Sequence, residues 1–120
     1  MQVIRGSAAP SRQGTTFTGD VTLTSLLGAA EPGGISVASV HFEDGARTNW
    51  HEHPGEQVLY ILDGQARAGT ADGEVRASPG DIIHLPANQR HWHGAVAGGS
   101  MTHLSITTIG PPTWYEAPED

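Results

Sequence analysis

The chain has 120 residues, enough for one domain around one core. Its formal charge is −7, with thirteen acidic residues against six basic ones, all arginine and nowhere clustered. That balance excludes a surface for nucleic acid or anionic membrane, which needs massed Lys and Arg. The absence of lysine excludes Schiff-base chemistry. The absence of cysteine removes disulfides, thiolate nucleophiles, zinc–thiolate sites and iron–sulfur clusters. No segment has the apolar length of a signal core or a membrane span, so a soluble, cytoplasmic protein is expected.

Residues 1–14 are polar and rich in Gly, Pro and Ser, and predict a flexible arm or an edge strand through Val3 and Ile4. β-Branched residues over Thr15–Leu27 predict the first solid strand, and ISVASVHF (35–42) the next. A strand carrying His51 and His53 follows the Glu43–Ala46 turn. The apolar run Gln57–Leu62 is too short for a helix and is bounded by Asp63-Gly64, a hairpin signal. Two short strands flank Asp72-Gly73. Ile82–Pro86 is a short strand ended by proline, and HWHGAVA (91–97) and MTHLSITTI (101–109) are the last two. Residues 15–109 thus form the predicted body and 110–120 a tail. Nine to eleven short strands, turns every ~8–12 residues and no helical period define an all-β barrel or sandwich in a single domain.

The chemistry gathers in GARTNWHEHPGEQVLYILDG (45–64) and HWHGA (91–95). Side chains two apart on a strand share a face, so His51 and His53 can reach one point together, as can His91 and His93. The turn at Pro54-Gly55 brings Gln57 beside them. Three imidazoles from these two pairs and the amide oxygen of Gln57 would then converge inside the barrel on one metal ion. Neutral ligands leave the full charge on such an ion, which favours an anionic partner. Four protein ligands leave two positions open at a six-coordinate metal, the mark of a catalytic site. Ligand type alone admits Mn, Fe, Ni, Cu or Zn. His93 faces the same interior. His41 and His84 fall in no motif and read as structural or surface groups, and Arg47 as a surface salt-bridging residue.

The spacing Gly45-x5-His51-x-His53-x3-Gln57-x6-Gly64 resembles the first motif of the cupins, and Gly80-x5-Pro86-x-Asn88-x2-His91 resembles the second. The resemblance implies a double-stranded β-helix, the jelly-roll barrel, with a metal inside. Three positions depart from the pattern. Gln57 stands for a glutamate, Asn88 for a glycine and Ala95 for an asparagine; Glu56 is out of register and cannot replace the lost ligand. ASVHFEDGARTNWHEHP, PGD, HWHGA and MTHL further resemble the bacterial cupin hydroxynitrile lyases. That likeness implies Mn2+ (with Fe2+, Ni2+ or Zn2+ as alternatives) held by His51, His53, Gln57 and His91. It implies His103 as the acid–base group, with His93 beside it, and Ala38 and Val40 as pocket walls. Ser105 shares the strand face of His103 and is a further candidate for substrate contact.

The implied reaction is reversible cleavage of a cyanohydrin to aldehyde and cyanide. The rivals are a metal-dependent dioxygenase acting on enol or aromatic substrates, and a non-catalytic small-molecule-binding cupin. If His51, His53 and Gln57 face inward, then Trp50, Val58, Tyr60, Leu62 and Trp92 face outward on one sheet. A patch that large predicts cover by the N-terminal strands or, preferably, a homodimer.

Overall fold

The computed structural model describes residues 1–119, and β-structure dominates it. After a 3-10 turn at Gly6–Ala8 come β1 (Ser11–Gln13), β2 (Phe17–Thr18), β3 (Val21–Leu27) and β4 (Ile35–Phe42). Next are β5 (Arg47–Thr48), β6 (His51–Glu52), β7 (Gln57–Gly64), β8 (Ala66–Thr70) and β9 (Gly73–Ala77). β10 (Ile82–Leu85), β11 (Trp92–Ala95), β12 (Met101–Thr108) and β13 (Thr113–Trp114) complete the chain. No α-helix forms among the described residues.

Two antiparallel sheets face each other: six strands in the order β1-β3-β4-β12-β7-β10 and five in the order β2-β5-β11-β8-β9. Late strands lie between early ones, with β12 between β4 and β7 and β11 between β5 and β8. This interleaving is the jelly-roll form of the double-stranded β-helix.

Alternation decides which side chains fill the interior. On β7, Gln57, Leu59 and Ile61 are buried while Tyr60 and Leu62 are exposed, the period of a strand with one wet face. Phe42, Leu59, Ile61, Met101 and Val21 are fully buried, and each such side chain stabilises the fold by roughly 1.5–3 kcal/mol. β7 runs on through Gly64, beyond the expected hairpin at Asp63-Gly64. Gly64 has φ +75°, and a Cβ there would overlap the Ser100 carbonyl oxygen. Only glycine lets the chain swing from one sheet to the other against β12.

The expected outer apolar patch is divided between the two sheets. Trp92 belongs to the five-stranded sheet and is buried at 5 % exposure. Its ring packs on Gly69, with the guanidinium carbons of Arg47 and Arg67 5.2 and 5.1 Å from its centroid. Arg47, expected at the surface, is itself buried and donates from Nη2 to the Pro118 carbonyl at 3.0 Å. Trp50 is tied through its backbone to the same segment: its amide donates to the Glu116 carbonyl (2.9 Å) and its carbonyl accepts from Tyr115 N–H (2.8 Å). The chain's own C-terminal segment thus closes that side, with β13 paired to β6. Tyr60 and Leu62 stay exposed on the outer face of the six-stranded sheet. The N-terminal strand β1 cannot cover them, because it lies at the opposite edge, paired to β3.

Candidate metal centre

His51 and His91 are set opposite each other by main-chain bonding. The His51 amide donates to the His91 carbonyl and the His91 amide to the His51 carbonyl, both at 2.8 Å. Residues so paired project side chains from the same face, and their rings lie 4.2 Å apart. His53 follows two residues on. Its carbonyl accepts from Asn88 N–H at 2.8 Å, and Asn88 has φ +64°. Asparagine is one of the few non-glycine residues that tolerate this conformation, which explains how it replaces the usual glycine without changing the turn.

The ring orientations have identifiable causes. His51 Nδ1 donates to the Asn49 carbonyl (2.9 Å) and His91 Nδ1 to the Gln89 carbonyl (2.8 Å). A carbonyl only accepts, so both Nδ1 atoms carry the proton and both Nε2 atoms present lone pairs inward. Trp114 packs on the outer side of His51, its ring 4.3 Å away. Tyr115 Oη donates to Glu52 at 2.6 Å, holding the strand that bears His51. Gln57 reaches the same point from the facing sheet. Its Nε2 donates to Ser105 Oγ at 2.8 Å, which turns Oε1 toward His91 Nε2 at 3.0 Å. With His91 Nδ1 protonated, that contact sets an amide oxygen against a bare nitrogen lone pair. Two acceptors so close could share a cation.

Burial keeps the imidazoles neutral, the form that binds metal. Desolvation lowers His51 from 6.5 to about 3 and His53 to about 4, helped in each by the neighbouring His91, and it lowers His91 as well. His53 is 8 % exposed, yet neither ring nitrogen has a hydrogen-bond partner among the described residues. An imidazole buried with both nitrogens unpaired is costly unless something absent from the protein satisfies one of them. Ring nitrogens of His51, His91 and His93 lie within 4.8 Å of one another, so three histidines stand close enough to hold a divalent ion. This compact trio includes His93, which the sequence places only beside the ligands.

His103 is fully buried, and its Nε2 meets His93 Nδ1 at 3.1 Å. Phe42 packs against both rings, at 5.9 Å from His93 and 5.2 Å from His103. Burial, with His103 as the largest charged neighbour, holds His93 well below 6.5. Burial lowers His103 to about 4, against the opposing influence of its own carbonyl. Its Nδ1 is buried without a hydrogen-bond partner of good geometry. Cross-strand register sets Val40 opposite His103 and Ala38 opposite Ser105. Val40 is buried, while Ala38 lines a cleft of about 270 Å³ with Pro10, Ser11, Arg12, Leu23 and Ser25. Glu56 turns outward to His84 (2.7 Å), leaving no carboxylate in the cluster. His41 bonds Thr102 and Glu43 on the outer face. The role of the C-terminal segment in bracing His51 was missed from sequence; its signal was the aromatic pair Trp114-Tyr115 in an otherwise polar tail.

The interior of this β-barrel holds three histidines that could bind a divalent ion. The chain belongs to the cupins: residues 38–107 match the Cupin domain model. It is 39 % identical over 109 residues to a (R)-mandelonitrile lyase of Granulicella tundricola, covering 88 % of this chain and 83 % of that protein. A cupin-like protein of Thermotoga maritima superposes with a TM-score of 0.80 at 32 % identity, covering 88 % of this chain and 84 % of the other. An acireductone dioxygenase of Rhodopseudomonas palustris is 40 % identical, but only over 47 residues, 36 % of this chain and 28 % of that one. No described helix is long and apolar enough to cross a membrane.

Proposed function

We propose that this cupin is a metal-dependent lyase that reversibly cleaves cyanohydrins to an aldehyde and hydrogen cyanide. The observation that carries the reading is the buried, carboxylate-free donor set: Nε2 of His51 and His91, one of the two unpartnered nitrogens of His53, and Gln57 Oε1. These four residues would hold the ion, Mn2+ by resemblance. When bound, a divalent cation held by neutral ligands stabilises developing negative charge on a substrate oxygen.

The chain supplies the proton traffic. With His103 Nε2–H donating to His93 Nδ1, His103 Nδ1 is a bare lone pair. In this arrangement His103 takes the hydroxyl proton of the cyanohydrin. The O–C bond becomes the carbonyl, the bond to the nitrile carbon breaks, and cyanide leaves with the electron pair. His103 then returns the proton to cyanide. His93 keeps a proton on Nε2 and so acts as a donor toward the cluster, outside the ligand set. Ala38, Val40 and Ser105 shape the substrate space, and Ser105 also fixes the Gln57 amide.

Release of cyanide from mandelonitrile by the metal-loaded protein tests the reading. His103→Ala should keep its metal and lose turnover by ~10²–10⁴, the scale of an acid–base group. Unchanged turnover in that variant removes His103 from the reaction. Oxygen uptake without cyanide release would favour the dioxygenase reading, for which only the partial acireductone dioxygenase similarity speaks.

A second copy of the chain is the partner we propose for the outer face of the six-stranded sheet. The register aligns Ile82, Tyr60 and Leu104 in one row and Val58, Ile106 and Val37 in the next. An apolar face two rows deep suits an isologous dimer. A cytoplasmic setting fits a chain without cysteine.

A further inference from the structure

Arg12 is the one cation that lines the cleft beside the interior. It lies on edge strand β1 directly opposite Leu23, and Leu23 is opposite Val40, which is opposite His103. These four residues form a single row on the inner face of the six-stranded sheet. The neighbouring Ser11 points the other way, its Oγ bonded to Thr24 Oγ1 at 2.7 Å, so strand parity turns Arg12 inward. Three inter-strand steps separate it from His103, on the order of 14 Å measured along the curved sheet.

Most of the other arginines are committed elsewhere. Arg47 and Arg67 clamp Trp92, Arg67 also reaches Glu74, and Arg90 pairs with Glu116. Arg12 makes no ion pair and no guanidinium hydrogen bond among the described residues. The cleft walls around it are otherwise apolar (Pro10, Leu23, Ala38) apart from Ser11 and Ser25. Arg12 is solvent-exposed at the mouth of this mainly apolar cleft, on a molecule of formal charge −7. Its planar fork matches a carboxylate with two parallel bonds. One wall of the cleft, Ala38, is opposite Ser105, whose Oγ accepts from the Gln57 amide.

We propose that Arg12 is a specificity-determining residue that binds a carboxylate at the far end of the substrate, so that the preferred substrates are organic acids. The carbonyl or hydroxyl carbon of such a substrate lies inward at the histidines and the acid group lies at the cleft mouth. This rests on the reading of the histidine cluster as the reacting centre, and adds to it that mandelonitrile lacks half of what the site recognises.

The test compares 4-formylbenzoate with 4-formylbenzamide, which share shape and differ in charge, by titration calorimetry on the metal-loaded protein. The acid should bind at least about fivefold more tightly, the scale of a partly exposed charge-assisted pair. Arg12→Gln should abolish that preference while leaving metal content and amide affinity unchanged, and Arg12→Lys should keep part of it. Equal affinity of acid and amide in the unaltered protein, or no measurable binding of the acid, would overturn the proposal. So would a preference that survives Arg12→Gln, since it would then arise from the metal charge alone. Cyanide release separates the two readings. Arg12-dependent acid binding without lyase turnover leaves the anion site standing and removes the reaction. Turnover on mandelonitrile with no Arg12 dependence of acid binding does the reverse.

Discussion

Mild acid should unfold the metal-free protein, and the buried imidazoles set the window. His51 is held at about 3 and His53 and His103 at about 4, against 6.5 in an unfolded chain. A base whose folded pKa is depressed stays neutral in the fold while the unfolded chain takes up protons. Its contribution is therefore complete above 6.5 and is lost as pH falls from 6.5 toward the folded pKa. Each such histidine costs ~1.4 kcal/mol per pH unit in that range. These three alone would remove about 6 kcal/mol by about pH 5, comparable with the whole stability of many domains of this size. His91 and His93 are shifted in the same direction and steepen the loss. Urea unfolding followed by tryptophan fluorescence in chelator, over a series of pH values, measures this directly. The unfolding free energy should fall steeply below 6.5, and His103→Leu should flatten the slope by about one proton, ~1.4 kcal/mol per pH unit. A flat profile from neutrality to about pH 5 would mean that the imidazoles titrate freely in the folded state, and the neutral-ligand argument would fail with it.

His53→Ala should lose the metal whereas His93→Ala should retain it, as read by elemental analysis of purified protein; the opposite pattern would make His51, His91 and His93 the ligand trio. Gly64→Ala should destabilise the fold by roughly 1–3 kcal/mol, because a left-handed φ and a blocked Cβ coincide there, visible as a lowered urea midpoint. Leu104→Glu should convert a dimer to monomers in sedimentation analysis without altering the far-ultraviolet spectrum; a monomer before substitution would end the dimer proposal.

Strand alternation made the interior of β7 readable in advance. Gln57, Leu59 and Ile61 had to share a face, and the structure buries all three. The same rule brought His51 and His53 to one side, because neither residue needs information from far along the chain. Relations between sheets were less legible. Trp50, Trp92, Tyr60 and Leu62 all fall on outward parity, but parity within a strand does not say which sheet carries the strand. Trp50 and Trp92 went to the side closed by residues 114–118 and by Arg47. The closure depends on a contact 71 residues apart in sequence, and no local pattern announces such a contact. The tautomers were beyond reach for the same reason. They follow from Asn49 and Gln89 carbonyls placed by the bridge between His51 and His91.

The substitution at position 57 ties these levels together. A glutamate there would supply a negative charge to a cation held by imidazoles, and would stabilise the ion in a higher oxidation state. Glutamine would supply an oxygen without the charge, and its Nε2 donates to Ser105, which a carboxylate cannot do. The amide is therefore oriented by the strand that carries His103, since Ser105 and His103 lie two residues apart on the inner face of β12. Replacing Ser105 by alanine should free the amide to rotate and weaken metal retention, while Gln57→Glu should tighten it and slow any step that needs an electron-poor ion. Metal affinity by competition with a chromophoric chelator separates these outcomes. If Ser105→Ala holds its metal as tightly as the unaltered protein, the amide is fixed by the ion alone and the strand pairing contributes nothing to the site.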